Sequence, residues 1–227
     1  MNTLLIPLVG PMQSWGSRSR FDDRDTHIAP TKSALLGLIC SALGRRREEP
    51  LEDLTVMRFG VRIDAPGRPF SDFQTAQNVV QADGQGKSTV TSKRHFLADA
   101  RFLVGLESES ITLLTTIEAA LRSPRYTLSL GRKSYPLSLP PYLPKGSLRE
   151  NMELEEVLRS EPWRYLSDRE VRSLPDKLIL LVESADGEMS LADQPRNFSN
   201  RTFGMRRATL VDIDMPKEVL SWSTYQN

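Results

Sequence analysis

Two histidines, His27 and His95, are the side chains of this chain that titrate near neutral pH without a special environment, so acid–base chemistry has few places to reside. His95 closes the run Lys93-Arg94-His95. Residues two apart on a strand share a face, so Lys93 and His95 are placed to act together. The same run reads equally as a basic stretch that meets a polyanion without reacting with it. Asp22, Asp23, Asp25 and His27 hint at a metal, but no second histidine or cysteine stands near them, and solvated loop charge is the better reading. The chain has no Gly-x-x-x-x-Gly-Lys-Ser/Thr loop, no Gly-x-Ser-x-Gly elbow and no His-Glu-x-x-His. Nucleotide hydrolysis, a serine triad and zincin chemistry are therefore not indicated, and neither a catalytic residue, a metal nor a cofactor is expected.

Binding chemistry is better represented. Gly10-Pro-Met-Gln-Ser-Trp-Gly16 follows an apolar run, and Pro30-Thr-Lys-Ser33 opens an apolar helix. An exposed Trp15 stacks on a base, Gln13 reaches a base edge, and Lys32 with turn amides meets phosphates. The competing reading puts Trp15 in the core, where a lone tryptophan after a strand more often lies.

The elements must present these groups. Thr3–Val9 is apolar at nearly every position, as a strand covered on both faces is. Thr31 is the N-cap of a helix whose apolar face carries Leu35, Leu38, Ile39, Ala42 and Leu43, and Gly44 stands at C′. Arg45-Arg46-Arg47 beyond it suits the helix dipole, which explains part of that charge without a ligand. Val56–Asp64 alternates as a half-buried strand with Arg58 and Arg62 on one face. Thr75–Gln81 and Ser88–Phe96 flank Asp83-Gly84-Gln85-Gly86. They read as a hairpin with few large apolar residues, which projects from the body; a disordered polar loop is the alternative. Arg101–Leu106 is a strand, Ser110–Leu121 a helix capped by Ser110 with Leu113, Leu114 and Ile117 inward, and Tyr126–Leu130 a strand. An acidic helix near Glu150–Arg159, a strand Lys177–Glu183 and a β-rich segment Arg201–Ile213 follow. The order β-α-β, hairpin, β-α-β is the ferredoxin-like arrangement of RNA-recognition modules.

Composition sets outer bounds. The 227 residues suffice for one large or two small domains, and 26% charged with 39% hydrophobic residues is ordinary for a soluble globular chain. A net charge of +1 conceals segregation: Gly10–Arg47 and Gly84–Arg101 are basic, while Glu150–Arg172 is acidic. Such faces suit a polyanion on one side and a protein on the other. Cys40, the single cysteine, excludes a disulfide framework and reads as a buried small hydrophobe. No signal-like or membrane-spanning run is present, so a cytoplasmic protein is expected.

Several runs resemble the CasD family, the fifth Cas family: Gly10–Gly16, Pro30–Ser33 before Leu35–Leu38, Arg94-His-Phe-Leu-Ala-Asp99, Pro124-Arg-Tyr-Thr127, Leu130-Gly-Arg-Lys-Ser134 and Pro195-Arg-Asn-Phe198. They span residue 4 to about residue 207 in the family's order. The stretches 124–134 and 195–198 point more narrowly to type I-E CRISPR systems. The resemblance implies an α+β, ferredoxin-like (RRM-like) palm over residues 1–145, a thumb hairpin inserted at 74–100, and a C-terminal β-rich extension over 146–227. It further implies a non-catalytic subunit of the Cascade surveillance complex in antiviral defence. That subunit caps and holds the 5′ handle of the CRISPR RNA, against the backbone subunit CasC and the large subunit CasA. The implied RNA surface comprises Gln13, Trp15, Lys32, Ser33, Arg94, Tyr126, Arg132 and Lys133, with Gly131 letting the backbone approach a phosphate. Relatives from type I-C systems cut CRISPR RNA without metal, using a Tyr, a Lys and a His. A metal-independent endoribonuclease built on Lys93 and His95 is therefore the alternative. The charge-dense segment 18–25 departs from the family's pattern and has no assigned partners.

Overall fold

Apolar residues on both sides of β1 (Asn2–Val9) make it the strand on which the molecule is built. Its side chains alternate between two cores, Leu4, Ile6 and Leu8 in one and Leu5 and Val9 in the other. The computed structural model describes residues 1–16, 22–81, 83–84 and 86–222. Arg18 and Arg20 of the charged segment, and Gln85 of the hairpin apex, lie outside these residues.

After β1 come β2 (Met12–Gln13), β3 (Asp23–Arg24), α1 (Lys32–Leu43), α2 (Glu52–Thr55), β4 (Arg58–Ala65), β5 (Arg68–Val80), β6 (Lys87–Ala98), β7 (Arg101–Ser108) and α3 (Ile111–Arg122). The remainder comprises β8 (Leu148–Arg149), α4 (Leu154–Ser160), β9 (Trp163–Tyr165), α5 (Asp168–Val171), β10 (Lys177–Glu183), β11 (Met189–Asn197), β12 (Thr202–Asp214) and β13 (Val219–Ser221). Seven strands form one antiparallel sheet in the order β11-β12-β10-β4-β7-β1-β8. Helices α1 and α3 cover one face, and α4 with Trp163 and Trp222 covers the other.

Local signals place these elements. Thr31 Oγ1 accepts from the Ala34 amide and Gly44 ends α1 at φ 79°, while Ser110 Oγ accepts from the Leu113 amide at the start of α3. Pro7 interrupts a central strand without breaking its pairing. The Leu5 amide points to the β8 side, donating to Ser147 O at 2.9 Å, so the N–H missing at Pro7 lies on the same side, beyond the two-residue β8. Gly60 and Gly105 face each other across β4 and β7 beneath α4. A Cβ on Gly105 would lie 2.4 Å from Leu154 Cδ1, and one on Gly60 3.0 Å from Leu158 Cδ1. Bare backbone there lets the helix settle onto the sheet, and adding even a methyl forces a shift costing about 1–3 kcal/mol.

Two expectations need correction. Residues 126–130 are not a strand. Their amides bond to the end of α1 and to a neighbouring turn (Tyr126 N to Ser41 O, Leu130 N to Tyr135 O), so the alternation of Leu128 and Leu130 with polar residues reflects a loop laid on a surface. The expected half-buried strand β4 is buried on both faces, because α4 covers the side carrying Arg58 and Arg62. Arg62, fully buried, pairs with Asp64 and donates to the carbonyls of Leu158, Glu161 and Pro162.

The hairpin β5–β6 is longer than its apex signals suggest, pairing from Arg68↔Ala98 to Val80↔Lys87. Every residue of β5 is exposed. On its other edge, β6 pairs near its base with β2 and, in parallel, with β3. No helix among the described residues is long and apolar enough to cross a membrane.

Candidate nucleic-acid interface

The residues expected to bind a polyanion fall into two groups. The first group is internal. Gln13 is fully buried and donates from Nε2 to the carbonyls of Ala100 (2.7 Å) and Leu8 (3.2 Å), tying the end of β1 to the β6–β7 turn. Trp15 is 1% exposed and meets Phe102 edge-on at 6.5 Å. Both side chains are therefore interior, as the core reading of Trp15 has it.

Lys32 is likewise 1% exposed. Its Nζ lies 3.0 Å from Glu183 Oε2 and 2.9 Å from Thr55 O, and its amide donates to Asp193 Oδ2 at 2.9 Å. Asp193 in turn holds Arg206, which is also buried. The Lys32 amide and ammonium at the start of α1 are thus met by the protein's own carboxylates. Burial lowers the Lys32 pKa from 10.5, and Glu183 opposes that shift. Ser33 is half-buried, with its Oγ 3.4 Å from Thr31 Oγ1.

The second group is accessible and gathers at the root of the hairpin. The short strand β3 places Asp23 opposite Lys93 and Arg24 opposite Arg94. Arg94 is half-buried and donates from Nε to Ser92 Oγ at 3.1 Å. Arg132 approaches from the loop after α3, donating to Arg24 O (3.1 Å) and to the Tyr135 hydroxyl (3.0 Å), with its guanidinium 5.5 Å from the Tyr135 ring. Arg94 and Arg132 therefore flank one strip of backbone, and the exposed Arg24 lies between them. The partners missing for segment 18–25 are now partly visible. Asp23 Oδ1 lies 3.1 Å from His95 Nε2, and the Arg24 carbonyl receives Arg132.

Aromatic rings fasten this root. Phe70 of β5 stacks on Phe96 of β6 at 6.0 Å, and Phe96 meets Tyr135 at 5.9 Å. Half of Phe70 remains exposed, a π-face that the sequence reading missed. The turn at Gly131 has φ 89°, and a Cβ there would lie 1.7 Å from Ser14 O. The protein's own Gly10–Gly16 loop approaches Gly131, and Ser14 N donates to Leu130 O at 3.1 Å. Beside it, Tyr126 (54% exposed) and Lys133 line an open groove of about 560 Å³ with Ser41, Thr127 and Ser129.

Acid–base chemistry is thinly provided. His95 is half-buried, its Nε2 engaged by Asp23, and its carbonyl accepts from Ser14 Oγ. Among the described residues no three His, Cys, Asp or Glu side chains gather as a metal site would require. The Cys40 thiol is buried and pushed up to about 11, which keeps it protonated at neutral pH.

The hairpin root thus presents an accessible basic strip on a mostly antiparallel α/β body. The family model for "CRISPR-associated protein (Cas_Cas5)" matches residues 3–209, and the chain belongs to this Cas5/CasD family. Among curated proteins it is similar to the "CRISPR system Cascade subunit CasD" of Escherichia coli (strain K12), 33% identical over 175 residues, covering 70% of this chain and 77% of that one. Among solved structures it is similar to one titled "Crystal structure of Cas protein" (TM-score 0.76, 41% identity, 94% of this chain and 97% of that chain). It is also similar to a chain of a "CRISPR RNA-guided surveillance complex" (TM-score 0.80, 29% identity, 99% and 96%).

Proposed function

We propose that this protein is a non-catalytic subunit of a type I-E Cascade surveillance complex, which binds and caps the 5′ handle of the CRISPR RNA in antiviral defence. In that role it works in the cytoplasm, against the backbone subunit CasC and the large subunit CasA. The observation that carries this reading is the convergence of Arg94 and Arg132 on the β3 strip at the hairpin root, with Tyr126 and Lys133 in the adjoining groove. Cations beside exposed rings hold a single strand by its phosphates and stack its bases. The similarity to the Escherichia coli Cascade subunit and to the RNA-guided complex supports it.

The fold reading belongs to the same proposal. The run β1-α1-β4-β7-α3-β8, with strand order β8-β1-β7-β4 and both helices on one face, supports the ferredoxin-like palm. The thumb is then the β5–β6 hairpin inserted between its second and third strands, over 74–100 in the sequence division. The C-terminal segment, 146–227 in the sequence division, supplies β8 as the palm's fourth strand and continues the sheet through the pairing of β10 with β4.

Incubation with labelled repeat RNA in EDTA tests the proposal: the RNA is bound and stays intact. Metal-independent cleavage that disappears in His95→Ala would establish the endoribonuclease instead. That alternative rests on Lys93 and His95, with His95 Nε2 at 3.1 Å from Asp23 Oδ1.

A further inference from the structure

A second set of cations lies outside the hairpin root, over the outer face of α1. A groove of about 410 Å³ runs between the C-terminal half of α1, the Arg45–Arg47 run behind it, and the β11–β12 turn with Phe198, Arg201 and Phe203. The helix dipole and Asp53 account for Arg45, whose guanidinium binds that carboxylate. Among the described residues Arg46, Arg47 and Arg201 are exposed and form no ion pair. The nearby Glu49 turns back to accept from the Arg46 amide at 2.6 Å. Phe203 is 41% exposed beside these cations.

The floor of the groove is Gly37, in the interior of α1. A helix-interior glycine costs about 1 kcal/mol relative to alanine. Here a Cβ would meet only Phe198 Cζ, at an ordinary 3.9 Å, so internal packing does not require the glycine. Its effect is to leave no side chain at this point of the groove's lining.

This groove neighbours the one already described. Ser41 lines both. The Arg125 and Tyr126 amides donate to Ala42 O and Ser41 O, and Arg125 folds over Gly44, so the loop bearing Tyr126 is strapped to the end of α1. We infer that single-stranded RNA held at Tyr126 and Lys133 continues around the C-terminus of α1 into this groove. Arg46, Arg47 and Arg201 meet its phosphates, and a base lies on Phe203. The inference rests on the RNA-binding reading above and extends its path.

Its test uses the full chain, single-stranded repeat RNA of about twelve nucleotides, and the same RNA trimmed to about four, a span of site sizes that small single-strand-binding folds show. Each phosphate contact contributes about 0.7 to the slope of log affinity against log salt. Arg46→Ala with Arg201→Ala lowers that slope by about 1.4 on the long RNA and leaves the short RNA unaffected. Phe203→Ala weakens the long RNA at least about fivefold with an unchanged slope. Arg46→Lys with Arg201→Lys keeps the slope, and melting temperatures confirm that each variant is folded. An unchanged slope on long RNA that the wild type binds overturns the inference alone. The same result with a failure to join the assembled complex assigns the groove to an acidic protein surface and also overturns it. If the wild type binds neither RNA, the RNA-binding reading falls and this inference with it.

Discussion

The loops after β1 and after α3 carry similar residue types, a turn glycine, an aromatic ring and nearby cations, yet they meet opposite fates. The first loop lies under the β6–β7 turn and against Phe102, so Gln13 and Trp15 are core. The second lies over the first, with Ser14 O filling the space at Gly131, so Tyr126, Arg132 and Lys133 face outward. One loop is the support and the other the surface it presents. The comparison teaches that a loop rich in polar and aromatic residues can serve as the support on which a second, solvent-facing loop is laid.

The largest expected effect comes from breaking the support. Trp15→Ala removes a fully packed indole and should lower stability by about 3–5 kcal/mol, read as a drop in urea midpoint. RNA affinity per folded molecule should change little at high RNA concentration. A variant of undiminished stability with lost RNA binding would reverse the assignment and make Trp15 a stacking platform.

Lys32→Met should cost less, about 2 kcal/mol, because Glu183, left without its partner, is a quarter exposed and partly solvated. Its pH signature is distinct. With the folded pKa lowered by burial, the unfolded chain holds this proton more tightly. The Lys32 contribution is therefore fully present above the unfolded pKa and is lost as pH falls through the lowered folded value. The urea midpoint of the wild type should accordingly rise relative to Lys32→Met as pH increases toward the ordinary lysine value of 10.5. A parallel course for the two proteins would mean that Lys32 is solvated and free to meet a phosphate.

Arg132→Ala with Lys133→Ala should give the smallest stability change and the clearest binding change. The salt slope for repeat RNA should fall by about 1.4 while the melting temperature moves little. Lost affinity with an unchanged slope would mean that the pair only shapes the turn around Tyr135.

Legibility followed the range of the interactions. Thr31, Gly44 and Ser110 mark helix ends because a cap is made within three or four residues of chain, and β10 matches the strand read at Lys177–Glu183. Residues 126–130 imitate a strand because Leu128 and Leu130 alternate with polar neighbours. A loop pressed on a core through every second side chain has the same pattern. The exposed Phe70 was passed over because β5 begins before the run that reads as a hairpin arm. Asp23 and Arg24 were charges without partners until β3 paired with β6.

What the sequence by itself determined is the strand on which the fold is built, the two long helices with their caps, the hairpin, and the inventory of cations and rings suited to a single-stranded polyanion. Those follow from periodicity and capping, which act over a few residues. Which cations face solvent was decided only by the tertiary structure. Lys32 meets Glu183 across 151 positions and Asp193 across 161, and Arg132 reaches the Arg24 carbonyl across 108. Burial, and with it the choice between clamp and strut, is a property of those distant contacts, because a charge enters the interior only where a partner from elsewhere in the chain receives it.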